Sequence, residues 1–126
     1  MKWLLVLLSL LPALSLAADR DALESRKIDY LIEAIEHLDN AQFIRNGKAL
    51  HGRVASNNFR LKLKKPRCDV STAQDFIRIC AAASWASGRP YEIRFADGTV
   101  MLAKDYLRQK LSKFEAGNGV DSADKT

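Results

Sequence analysis

The two histidines are the first residues to consider for chemistry, because imidazole binds metals and transfers protons near neutral pH. His37 and His51 stand apart in the chain, and no HExxH or CxxC spacing supplies further metal ligands at short range. Glu33 and Glu36 come shortly before His37, a grouping that is typical of a solvated helix face. The sequence therefore predicts no metal site, and nothing in it calls for a cofactor.

A catalytic nucleophile would need a serine or cysteine beside an activating base. Ser84, Ser87 and Cys80 are candidates by residue type, but no G-x-S-x-G turn is present. Glu92 and Asp97 lie near one hairpin, where an exposed strand carboxylate and a turn aspartate explain them. We expect no catalytic residues, and a small envelope hydrolase or an inhibitor of one is the alternative hypothesis.

The strongest functional signal is a basic run without acidic residues. No Asp or Glu occurs from Arg45 to Arg67, although the whole chain carries 20 basic and 15 acidic residues. Such a run concentrates positive potential on one part of a surface. It predicts a basic face and turn for an anionic envelope component or an acidic protein, formed by Arg45, Asn46, Lys48, Arg60, Lys64 and Arg67. Arg60, Lys64 and Arg67 are predicted to share a helix face. Nucleic acid is disfavoured, because no aromatic stacking platform is interleaved with the cations; a charged face that only maintains solubility is the alternative.

The N-terminus has the pattern of a secretory signal. A basic start is followed by the apolar run Trp3–Leu14 and by Ser15-Leu16-Ala17, which places small residues at a signal-peptidase site. The run is shorter than the roughly 20 residues that span a bilayer. We therefore expect residues 1–17 to be cleaved, the mature protein to be periplasmic or secreted, and no transmembrane anchor to remain.

Cys68 and Cys80 are the two cysteines of the chain, and export would place them in an oxidising compartment. They are candidates for a disulfide bond. Against this, Cys80 falls in the third turn of a predicted helix, so the preceding loop would have to run back along that helix. The alternative is a buried, small Cys80 and a surface thiol at Cys68.

The first half of the mature chain reads as helix, hairpin and helix. An amphipathic helix begins near Asp21 and buries Ile28, Leu31, Ile32, Ile35 and Leu38. Asn46-Gly47 predicts a tight type I′ hairpin turn. Residues 55–65 fit both an alternating strand and a helix; their Lys, Arg and Leu content favours the helix.

The second half is organised around an Ala-rich helix that opens at Ser71 or Thr72 and leads to a sharp corner. Ser87, Gly88, Pro90 and Tyr91 form this corner, because glycine tolerates positive φ and proline fixes its own φ. Gly88 is predicted to end the helix. A hairpin closed by Asp97-Gly98 and a helix ended by Gly117 follow. The sequence thus predicts one α+β domain over residues 18–116, with about four helices and two β-hairpins able to form one small antiparallel sheet. Residues 117–126 are predicted to be a disordered tail.

The order of several short motifs resembles the YfeK-like family, small exported bacterial proteins with a domain of unknown function. The motifs are residues 43–47 (FIRNG), 72–77 (TAQDFI), 87–91 (SGRPY) and Tyr106-Leu107. The resemblance implies a periplasmic α+β domain and favours a helix at residues 55–65. Some members carry cysteines at the places of Ala41 and Phe95, so a disulfide of that kind is absent here. The family implies no activity.

Overall fold

The computed structural model describes the backbone of residues 20–125 and the side chains of residues 20–117. The predicted signal peptide lies outside these residues. In chain order the elements are α1 (Ala22–Glu36), β1 (Ala41–Arg45), β2 (Lys48–Leu50), α2 (Gly52–Lys62), a 3₁₀ turn (Pro66–Cys68), α3 (Ala73–Asp75, continued by a π-helical turn at Phe76–Cys80), β3 (Glu92–Phe95), β4 (Val100–Leu102) and α4 (Ala103–Lys125). They form the predicted small α+β domain. Within the described range, no helix has both the length and the apolar character needed to cross a membrane.

Both predicted hairpins are present, and they join into one antiparallel sheet in the order β2–β1–β3–β4. Asn46 and Gly47 have φ values of 51° and 79°, the positive values that a type I′ turn requires. β1 and β3 pair with Ala41 opposite Phe95.

The core lies between the helices and one face of the sheet. α1 buries four residues of the predicted stripe, Ile28, Leu31, Ile32 and Ile35. The fifth, Leu38, lies after the end of the helix and packs half-buried against the core. The ring of Phe59 packs edge-on against three other rings, with centroid distances of 5.6 Å to Phe43, 6.0 Å to Phe76 and 5.8 Å to Tyr91. Burial of each large apolar side chain contributes roughly 1.5–3 kcal/mol, so this aromatic cluster is a main source of stability.

Residues 52–62 are helical, which confirms the helical interpretation of the ambiguous stretch. The helix places Ala55 and Phe59 in the core, whereas the alternating pattern would have matched only a half-buried strand. His51 follows β2 directly and is the N-cap of α2, where its Nδ1 accepts a hydrogen bond from the Arg53 N–H at 3.1 Å. Pro66 then opens the 3₁₀ turn.

α3 begins as predicted but is shorter than predicted. Thr72 is the N-cap, and its Oγ1 accepts a hydrogen bond from the Asp75 N–H at 3.1 Å. The alanines beyond Cys80 do not continue the helix, although alanine has the highest helix propensity. The last turn closes with the Ala81 N–H donating to the Phe76 carbonyl oxygen at 3.1 Å.

Tertiary backbone pairing explains where α3 stops. The Ser84 N–H donates to the Arg89 carbonyl oxygen and the Tyr91 N–H donates to the Ala82 carbonyl oxygen, both at 3.0 Å. These bonds hold residues 82–84 extended against residues 89–91. Because these backbone groups bond to residues 89–91, with an antiparallel bridge between Ala83 and Pro90, the alanines do not continue the helix despite their propensity.

Gly88 has the positive φ predicted for the corner, 77°. Its N–H donates to the Ser84 carbonyl oxygen at 2.8 Å, so it closes a separate turn. The prediction that this glycine ends the central helix is therefore wrong, because that helix has already ended at Cys80.

Cys68 and Cys80 are joined by a disulfide bond, with their Cα atoms 5.6 Å apart. The bond is compatible with the fold because Cys80 ends the shortened α3, and the segment between the 3₁₀ turn and α3 runs back beside it. Both residues are buried, at 3% and 0% exposure. A cross-link over so short a loop stabilises the fold by about 3 kcal/mol in the loop-entropy estimate.

α4 starts directly after β4 and continues through Gly117 to Lys125. This differs from the predicted helix end at Gly117, and the helix covers most of the segment predicted as a disordered tail. Gly117 does not have positive φ, and a glycine in ordinary helical geometry weakens a helix by roughly 1 kcal/mol without ending it.

Candidate functional site

The turn of the first hairpin and the corner meet in space, although they are far apart in sequence. The hydroxyl of Ser87 donates to Asn46 Oδ1 at 2.6 Å and accepts a hydrogen bond from the Arg89 N–H at 3.2 Å. The guanidinium of Arg89 lies against Gly47, with Nη1 3.7 Å from the position that a Cβ would occupy. Two features that the sequence predicts separately are therefore parts of one surface.

Lys62 connects this surface to the end of α3, and sequence reasoning did not single it out. Its Nζ donates to the Cys80 carbonyl oxygen and to Tyr91 Oη, both at 2.9 Å, and to the Ala83 carbonyl oxygen at 3.4 Å. The Trp85 indole N–H donates to the Ile79 carbonyl oxygen at 3.1 Å. Together they satisfy carbonyl groups that a helix end leaves without partners.

The ammonium of Lys62 is surrounded by aromatic rings. Its Nζ lies 4.5 Å from the ring centroid of Trp85, 4.9 Å from that of Tyr91 and 5.9 Å from that of Phe59. Ring faces attract cations, so these contacts favour the protonated amine. A helical wheel contains the signal for this position, because Lys62 follows Phe59 by three residues and Ala55 by seven, on the flank of the buried stripe.

The electrostatic environment of Lys62 is unusual for a lysine. Burial, followed by the repulsion of Arg67 and then of Arg45, lowers its pKa from 10.5 to about 8. Among the described side chains, no carboxylate offsets this shift. Burial also raises the pKa of Tyr91, and the nearby Arg45 acts against that increase. Three cations therefore lie close together, and the central one, Lys62, is partly desolvated.

The outer rim of the surface consists of cations. The guanidinium carbon of Arg67 lies 4.7 Å from the ring centroid of Trp85, a stacking contact that fixes a flexible side chain. Lys48 is the cross-strand partner of Arg45 in the hairpin. In the described part of the chain, the ion pairs do not involve Arg45, Lys48, Arg67 or Arg89. We call this surface the corner site; it consists of Arg45, Asn46, Lys48, Lys62, Arg67, Trp85, Ser87, Arg89 and Tyr91.

Two residues of the predicted basic face lie apart from the corner site. Arg60 forms an ion pair with Glu36 at 2.6 Å, and this hydrogen bond lowers the pKa of Glu36. Lys64 is exposed. The prediction that Arg60, Lys64 and Arg67 share one helix face is wrong, because α2 ends at Lys62 and Arg67 lies in the 3₁₀ turn.

The other residues that were considered for chemistry have local structural roles. His37 contacts the Glu33 carbonyl oxygen through Nδ1 at 3.1 Å. Asp97 accepts hydrogen bonds from the Thr99 N–H and hydroxyl at 2.9 and 2.7 Å, and these bonds lower its pKa. Over the described residues, no cluster of three or more His, Cys, Asp or Glu side chains has an arrangement that could hold a metal ion.

Comparison with known proteins confirms the resemblance noted in the sequence. The chain is 34% identical to the "Uncharacterized protein YfeK" of Salmonella typhimurium over 83 residues, which are 66% of this chain and 69% of that protein. No solved structure matches the chain. Residues 22–115, which include the whole corner site, match the "Family of unknown function (DUF5329)". The chain therefore belongs to the DUF5329 family.

Proposed function

We propose that this protein is a non-catalytic binding module of the bacterial periplasm that engages an anionic partner through the corner site. The observation that carries the proposal is the placement of Lys62 and Arg67 over the ring of Trp85, with Arg45 close enough to repel Lys62 and no described carboxylate offsetting that repulsion. The periplasmic location rests on the signal-like N-terminus.

The hydrogen-bonding groups of the corner site favour an anion over a neutral ligand. Ser87 engages Asn46 Oδ1, which leaves the amide nitrogen as the group that faces a ligand. The guanidinium groups of Arg45, Arg67 and Arg89 present only donors. Carboxylates and phosphates carry oxygen acceptors that match a planar guanidinium in a two-point contact.

A face that only maintains solubility would be built differently. Such faces carry mobile cations interspersed with carboxylates, whereas Arg67 is stacked on Trp85 and Lys62 is held by two carbonyl groups and a hydroxyl. Ordering these side chains reduces the entropy they would lose on binding. An anion in the corner site would also reduce the mutual repulsion of the three cations.

Retention on phosphocellulose over a salt gradient tests the proposal. The variant Arg45→Gln/Arg67→Gln should elute at lower salt than the wild type, with about tenfold weaker binding at fixed salt. The control Arg94→Gln/Lys113→Gln removes the same charge from exposed positions on β3 and α4, away from the corner site. It should elute close to the wild type. Equal elution of both double variants would mean that net charge alone causes retention, and the proposal would be wrong.

A further inference from the structure

The outer face of α2 combines exposed apolar residues with cations. Val54 and Leu61 are 49% and 56% exposed, and they are two of the large hydrophobic residues that the fold leaves open to solvent. They are seven residues apart, so at about 100° per residue they lie within roughly 20° of each other around the helix. The two side chains therefore form a short apolar stripe that faces away from the core.

The surroundings of this stripe are basic. Arg53, Lys64 and Lys65 are exposed next to it in the sequence, and no acidic residue occurs from Asn40 to Cys68. The carboxylate of Glu36, at the end of α1, forms an ion pair with Arg60 of α2. The C-terminal end of α2 links the stripe to the corner site along the chain, because Leu61 directly precedes Lys62 and the 3₁₀ turn carries Arg67.

We propose that the outer face of α2 lies on an anionic phospholipid surface, with Val54 and Leu61 entering the headgroup region and the surrounding cations contacting lipid phosphates. This inference rests on the proposed function, because it names the source of the anion that the corner site binds. Apolar side chains set among Lys and Arg are the combination by which surface-bound helices recognise anionic membranes.

The apolar stripe distinguishes a bilayer from a soluble polyanion. A polyanion would contact only the cations and would leave Val54 and Leu61 in water. A bilayer would contact both the apolar side chains and the cations. The apolar side chains would leave water, and each nearby cation would strengthen binding roughly fivefold. Two apolar side chains contribute little binding free energy, so most of the affinity is electrostatic. Binding should therefore be reversible and should depend steeply on salt and on lipid charge.

Sedimentation with vesicles tests this inference. The protein should bind vesicles that contain phosphatidylglycerol and phosphatidylcholine, but not vesicles of phosphatidylcholine alone. Leu61→Ser should weaken binding to the anionic vesicles about fivefold. Leu23→Ser is the matched control, because Leu23 is 39% exposed at the start of α1 and should leave vesicle binding unchanged. Both positions are exposed, and unchanged melting temperatures would show that both variants fold.

Phosphocellulose retention separates this inference from the proposed function. Leu61→Ser should keep the retention of the wild type, because it removes no charge. Equal vesicle binding by Leu61→Ser and Leu23→Ser would overturn the membrane inference and leave the anion site in place. Loss of phosphocellulose retention in Leu61→Ser would also overturn it, since Leu61 would then act on the site itself. A wild type that binds neither phosphocellulose nor anionic vesicles would overturn both proposals.

Discussion

Replacement of Lys62 by methionine should change how the stability of the fold depends on pH. Methionine keeps most of the apolar stem but removes the charge and the three hydrogen bonds to Cys80, Ala83 and Tyr91. At neutral pH two effects oppose each other. Loss of the donors leaves carbonyl groups unsatisfied, at about 1–3 kcal/mol each where they are fully buried. Loss of the charge stabilises the fold, because it removes the free-energy cost of desolvating the ammonium and the repulsion from Arg67 and Arg45.

The pH dependence isolates the second effect. Between the folded pKa of about 8 and the ordinary lysine pKa of 10.5, the unfolded protein holds a proton on Lys62 that the folded protein does not. The free energy of unfolding therefore rises with pH over this range, and below about pH 8 the destabilisation by Lys62 is fully present. For a fully buried amine, this pKa shift would change the free energy of unfolding by roughly 3 kcal/mol. Because the Lys62 side chain is partly exposed, we expect a change of about 1–2 kcal/mol.

Urea unfolding of the oxidised protein at several pH values between neutrality and the lysine range would measure this effect. The free energy of unfolding of the wild type minus that of Lys62→Met should rise with pH by about 1–2 kcal/mol, because other titrating groups contribute equally to both proteins. The same difference for Lys64→Met should stay constant, since Lys64 is exposed. A difference that is constant with pH for Lys62→Met would refute the reasoning that burial and neighbouring cations perturb this amine.

Two glycine substitutions test the backbone of the fold. Gly52→Ala should destabilise it by about 1–3 kcal/mol, because the new Cβ would overlap the Ile35 carbonyl oxygen and lie 2.9 Å from the Glu36 carbonyl oxygen. A melting temperature equal to that of the wild type would contradict this and would show that α1 and α2 can separate at little cost. Gly88→Val should cost on the order of 1–3 kcal/mol, because φ is 77° although the space around it is open, whereas Gly88→Asn should be tolerated. Equal melting temperatures for these two variants would contradict the backbone explanation.

Local patterns were sufficient for most of the fold. Asn46 and Gly47 define a turn with their own conformational preferences, and Thr72 caps a helix through a bond to a residue three positions away. The buried stripe of α1 follows from helical periodicity alone. Each of these features depends on residues close together in sequence, so a single chain contains the information needed to predict it.

The features that were missed depend on partners distant in sequence. The alanines after Cys80 have helical propensity, but their conformation is decided by pairing with residues 89–91. Lys62 looks like one cation among several, and its role follows from carbonyl groups and rings that the tertiary fold brings to it. The joining of Asn46 and Ser87 into one site likewise required the fold.

The structural and proposed functional roles of Lys62 depend on each other. Its ammonium is retained in a partly desolvated position because it satisfies carbonyl groups at the end of α3 and contacts aromatic rings. The same charge, repelled by Arg45 and Arg67, makes the corner site favourable for an anion. An anion bound there would raise the pKa of Lys62, so binding would take up a proton above about pH 8 and stabilise the corner at the same time. Ligand binding and the stability of residues 82–91 are therefore expected to be coupled through this one side chain.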